Sequence, residues 1–68
     1  MSCKATFLKS QGILMALEDG EDWNQYIPEA QDDGENVYIY FNCEDLDLEK
    51  EAKILYGMYI VGFWNTKP

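Results

Sequence analysis

The chain contains no histidine and no arginine, and only two cysteines and two prolines in 68 residues. The missing histidine removes the commonest general base and metal ligand. The missing arginine removes the usual bidentate reader of phosphate and guanine. Two distant cysteines without histidine cannot build a zinc site. No unbroken apolar run exceeds the five residues of Ile13 to Leu17, far short of a membrane span. Nothing near Met1 reads as a secretory signal, so the expectation is a cytoplasmic protein with Cys3 and Cys43 as reduced thiols, the alternative being a disulfide if two strands bring them together.

What is present is acid, concentrated in one place. All thirteen Asp and Glu residues lie between Glu18 and Glu51, where Lys50 is the only base. The stretches before and after it hold no acid and two lysines each. The middle is therefore −12 and each flank +2, giving the net −8. Direct binding of DNA or RNA would work against phosphate repulsion. The chain is 47% hydrophobic and 15% aromatic, too apolar for a disordered acidic tail. Its length suits one domain, residues 1–68.

Alternation and turn residues predict an α+β fold, with a mostly antiparallel sheet of four to five strands and one main helix over about 43–56. Ser2 to Lys9 alternates as a strand, with Cys3, Ala5 and Phe7 on one face. Ile13 to Leu17 fits a helix or a buried strand. The Asp19-Gly20 pair, a hairpin signal, favours the strand. Glu21 to Ile27 reads as a third strand ending at Pro28. The polar run Glu29 to Asn36 reads as a loop. Asn36 to Asn42 is β-branched or aromatic throughout its interior, with Val37, Ile39 and Phe41 opposite to Tyr38 and Tyr40. Asn42 is the expected N-cap of the helix and Gly57 its C-terminal stop. Leu48, Ala52, Leu55 and Tyr59 form its apolar stripe, and Glu49 stands four before Lys53. Met58 to Trp64 would be the last strand.

No catalytic or cofactor motif is present. Placing Gly34 sixth in a calcium loop sets Glu29, Gln31 and Asp33 at ligand positions but Tyr40 at the twelfth, where glutamate is required. Placing Gly20 sixth starts the loop on Met15. Paired carboxylates can hydrolyse glycosides, but that chemistry needs a deep cleft that a domain this small rarely shapes. Cys43 has acidic neighbours in Glu44 and Asp45, which oppose a reactive thiolate. The chain is therefore not expected to be an enzyme, and no cofactor or metal is expected.

The acidic belt carries the functional reading. Dispersed charge of both signs would serve solubility, whereas a one-sign concentration costs self-repulsion and suits a basic partner. A row of carboxylates can stand in for phosphates and occupy a nucleic-acid groove. The aromatics Trp23, Tyr26, Tyr38, Tyr40, Tyr56, Tyr59, Phe63 and Trp64 outnumber what one small core can bury, and an aromatic centre inside a charged rim is interface anatomy. The expected partner-binding residues are Asp19, Glu21, Asp22, Asp32, Asp33, Glu35, Glu44, Asp45, Asp47 and Glu51, with Trp23, Tyr38 and Tyr40 as anchors. Their partner would be a basic protein surface, such as that of a nucleic-acid-binding protein, rather than nucleic acid or a membrane. In profile, though in no motif, the chain looks like the accessory proteins of phages and mobile elements. That likeness implies an inhibitor or anti-defence role. The alternative is a homodimer or larger homo-oligomer glued by the strand Met58 to Trp64, its acidity serving solubility alone.

Overall fold

In the computed structural model, residues 2–19, 29–43 and 47–62 are described. They form a small α+β domain. The strands are β1 (Ser2–Leu8), β2 (Ile13–Asp19), β3 (Glu29–Asp32) and β4 (Asn36–Asn42), and the helix is α1 (Leu48–Ile60). The sheet order is β2-β1-β4-β3, and every pairing is antiparallel.

The two strands with the clearest alternation lie side by side at the centre. Cys3, Ala5 and Phe7 of β1 stand directly opposite Phe41, Ile39 and Val37 of β4, and all six are buried. The period of two puts them on one face. The helix covers that face with Leu48, Ala52, Leu55 and Tyr59, the stripe expected at helical spacing. The Tyr56 ring stacks on Phe7 at a centroid distance of 4.4 Å, and Glu49 pairs with Lys53 at 3.1 Å.

β2 is a strand, and its ambiguity has a physical cause. Thr6 pairs with Ala16 but Phe7 pairs with Leu14, so Met15 is the extra residue of a β-bulge. Residues three apart in a regular strand face opposite sides. The bulge lets Leu14 and Leu17 both pack on the core. Their helix-like spacing is thus a property of a bulged strand. The turn before β2 closes with Gly12 donating its N–H to the Leu8 carbonyl at 2.7 Å. Gly12 has φ +68°, and a Cβ there would come within 3.1 Å of the Tyr56 ring. The positive φ favours glycine, and a Cβ would also press on the Tyr56 ring.

Four expectations are corrected. The run from Glu29 to Asn36 is not all loop. Glu29–Asp32 pairs with Tyr40 to Val37, and only residues 33–35 turn. Backbone pairing to β4 makes this strand despite its polar side chains, with Ala30 packed against the core. The helix begins five residues later than expected, because Asp47 rather than Asn42 is its N-cap, accepting from the Lys50 N–H at 3.2 Å. It also runs through Gly57. The glycine that stops it is Gly62, at φ +88°, whose N–H donates to the Tyr59 carbonyl at 2.8 Å. Met58 to Ile60 are therefore helix, not the start of a strand.

The fourth correction concerns the thiols, which are joined. Cys3 and Cys43 form a disulfide with Cα atoms 5.7 Å apart. Cys43 follows Phe41 by two residues, so it returns to the face of β4 that meets Cys3 across the strand pair. The bond lies fully buried. The expected strand Glu21 to Ile27, the Asp19-Gly20 hairpin and the exit at Pro28 lie outside the described residues, apart from Asp19 itself, which ends β2. So does the end of the expected last strand, from Phe63.

Two outcomes follow. Replacing both cysteines by alanine frees a loop of 40-residue separation, and loop-closure entropy sets the cost at about 4 kcal/mol, read as a lower midpoint in urea unfolding. Gly12→Ala destabilises by about 1–2 kcal/mol for the left-handed backbone, and by more if the Tyr56 ring cannot yield.

Candidate functional site

Two groups of described carboxylates lie at opposite ends of the sheet. Asp19, with Glu18 beside it, ends β2 opposite Cys3. Asp32, Asp33 and Glu35 sit at the turn between β3 and β4, beside the Leu8–Asn36 end of the central pair. Strand rise sets the two groups roughly 20 Å apart. A third group, Asp47, Glu49 and Glu51, lies at the start of α1 and is exposed.

Several of these side chains are engaged in holding the fold. Asp33 accepts from the Glu35 and Asn36 N–H groups at 2.9 and 2.7 Å through Oδ1, and from the Tyr38 hydroxyl at 2.8 Å through Oδ2. The Asn36 and Glu35 N–H groups, then Tyr38, hold its carboxyl below the usual range. Asp32 is tied more tightly. Its Oδ2 takes the Lys9 ammonium at 2.6 Å and the Tyr59 hydroxyl at 2.5 Å, and its Oδ1 takes the Gly34 N–H at 2.8 Å. Lys9 first, then Tyr59 and the Gly34 N–H, bring its pKa down from 3.8 to about 2. The same contact raises Lys9. The Lys9 N–H also donates to the Glu35 carbonyl at 2.9 Å, and its carbonyl accepts from the Tyr56 hydroxyl at 3.4 Å. One node thus joins the turn after β1, the turn after β3 and the C-terminal half of α1.

Lys9 and Tyr59 were not among the expected functional residues. The only sequence signal for them was Tyr59 on the apolar stripe, which does not reveal its hydroxyl's partner.

The remaining expected site residues divide in three. Asp19, Glu35 and Glu51 are exposed, and no described lysine pairs with them. Asp47 is exposed but serves as the N-cap. Tyr38 is half-buried, its hydroxyl on Asp33 and its ring 5.2 Å from the Lys4 ammonium, which also reaches Glu18 at 3.9 Å. Tyr40 is buried at 8% exposure, which removes it as a surface anchor. Glu21, Asp22, Trp23, Glu44 and Asp45 lie outside the described residues.

Among the described residues, no group of three or more His, Cys, Asp or Glu is arranged to hold a metal ion. Nor is any helix there long and apolar enough to cross a membrane. Two open hollows mark the surface. One, of about 430 Å³, is lined by Asp47, Glu49, Lys50, Lys53 and Ile54. The other, of about 510 Å³, is lined by Leu8, Lys9, Ser10, Gly34 and Glu35. Charged side chains dominate the first, and both lie open at the surface.

No protein-family model matches this chain, and neither does any curated protein or solved structure.

Asp32 makes stability depend on acid in a defined window. Its folded pKa lies below its ordinary value, so its contribution is complete above about pH 4 and is lost as pH falls towards about 2. Asp32→Asn is expected to be less stable than wild type at neutral pH and to lose less stability across that window. Thermal melts at stepped pH read both effects.

Proposed function

We propose that this chain is a small acidic binding protein that acts by occupying a basic surface on another protein or complex. The observation that carries the reading is a set of exposed carboxylates at fixed positions, Asp19, Glu35 and Glu51, with no described lysine on them. They are presented by a strand end, a tight turn and a helix, so little ordering entropy is lost when a partner engages them. The net charge of −8 steers the protein towards lysine and arginine and away from nucleic acid itself.

The sharper form is mimicry of nucleic acid. The two ends of the sheet lie roughly 20 Å apart, about six steps of a strand at 3.4 Å each. Carboxylates at both ends would then meet separate phosphate positions in one basic groove. An inhibitor of a nuclease, a transcription factor or a defence complex fits that chemistry, as would be expected of a phage or mobile-element accessory protein. Asp32 and Asp33 contribute less than their sequence positions imply, because their oxygens already accept hydrogen bonds within the turn. The competing homo-oligomer loses its strand from Met58, since that segment begins as helix.

The test is capture from nuclease-treated lysate at low and high salt, with the triple variant Asp19→Asn, Glu35→Gln, Glu51→Gln beside wild type. A nucleic-acid-binding protein held at low salt, displaced by added DNA and lost by the variant supports the reading. Retention that ignores salt, DNA and the three substitutions would falsify it.

A further inference from the structure

We propose that the Cys3–Cys43 disulfide is a gated redox latch, closed to thiols while the chain is folded and, once reduced, releasing the end of the sheet that carries Glu18 and Asp19. Both cysteines are 1% exposed and belong to the same buried cluster as Ala5, Phe41 and Leu55. A thiolate reduces a disulfide by attacking one sulfur directly, so the reagent must reach it. Burial denies that approach in the folded chain, and reduction has to wait for the sheet to open.

The exchange balances with a dithiol such as dithiothreitol. One of its thiolates bonds to the sulfur of one cysteine and displaces the other as a thiolate, which takes up a proton. The reagent's second sulfur, also as thiolate, then attacks the mixed disulfide and releases the first cysteine. Two electrons pass to the protein, and the reagent leaves as a cyclic disulfide. Oxidised glutathione reverses the change by accepting the two electrons.

The position of the bond decides what is released. Cys3 lies opposite Asp19 on one side and Phe41 on the other, and Cys43 directly follows β4. Lys4, next to Cys3, pairs with Glu18 at 3.9 Å. The far end of the same strand pair has its own clasp, in which Lys9 and Tyr59 both reach Asp32 and the Lys9 N–H holds the Glu35 carbonyl. Opening a cross-link of 40-residue separation lowers the folded-to-unfolded ratio by about a thousandfold. A 68-residue domain has little stability in reserve. The loosening falls first where the covalent tie is lost, because the ionic clasp still holds the other end. Reduction therefore frees Asp19 while Glu35 stays fixed. The latch rests on the bond, its burial and its place in the sheet, and it stands whether or not a basic partner exists.

Reduction kinetics and amide exchange on the isolated protein test it. With dithiothreitol and no urea, the disulfide is expected to be reduced at least about a hundredfold more slowly than oxidised glutathione, and faster as urea rises below the unfolding midpoint. The reduced protein is expected to unfold at lower urea. While it stays folded, it loses amide protection at Cys3, Lys4, Glu18, Asp19 and Phe41 more than at Phe7, Leu8 and Val37. Cys3→Ala with Cys43→Ala reproduces this pattern with or without reductant. A reduced chain that unfolds outright and refolds on adding oxidised glutathione supports the latch equally. Reduction as fast as that of oxidised glutathione and indifferent to urea, an unchanged urea midpoint, or equal loss of protection at both ends would overturn the proposal.

Discussion

The fold rests on the antiparallel contact between β1 and β4. Phe7 meets Val37, Ala5 meets Ile39 and Cys3 meets Phe41, and none of the six reaches solvent appreciably. Everything else attaches to that pair. β2 and β3 take its two outer hydrogen-bonding edges, and α1 lies across its apolar face. A domain of 68 residues has little core to spare. The pair is held at one end by a covalent bond through Cys3. At the other it is held by the ionic node that Lys9 and Asp32 form beside Leu8 and Asn36.

Carboxylates in this protein do two kinds of work, and composition alone does not separate them. Asp47 caps the helix, Asp33 closes a turn, and Asp32 gathers a lysine, a tyrosine and a backbone N–H. These acids replace backbone partners and stabilise the chain where it reverses or starts a helix. Asp19, Glu35 and Glu51 have no such local duty among the described contacts. A net charge treats both kinds alike, which is why the acidic belt looked more uniform as a sequence than it is as a surface.

Where the chain obeys a local rule, its structure was legible in advance. The alternation in β1 and β4 placed six core residues, and the spacing of Leu48, Ala52, Leu55 and Tyr59 placed the buried face of the helix. The α+β class followed from these. The misses share a cause: a tertiary contact chose between equivalent local signals. Gly57 and Gly62 both look like helix stops, and only the second has positive φ. Asn42 and Asp47 are both good N-caps. The bulge at Met15 exists because Leu14 and Leu17 both reach the core, a fact about the partner strand. Glu29–Asp32 has the composition of a loop, and it is a strand because β4 offers it hydrogen bonds. The candidate site was less legible. Tyr40 is buried, and Lys9 and Tyr59 declared themselves only through Asp32.

The disulfide divides the chain topologically into a ring and a tail. The ring runs from Cys3 to Cys43 and contains every described strand apart from Ser2 of β1, together with eight of the thirteen acidic residues. The tail carries α1, joined covalently at one end only. A single backbone cut inside the ring releases no fragment, and both products stay linked through the sulfurs. A single cut between Cys43 and Leu48 detaches the helix from everything but its packing. Damage to this protein is therefore asymmetric along its length, forgiving within the sheet and severe at the four residues between Cys43 and Leu48.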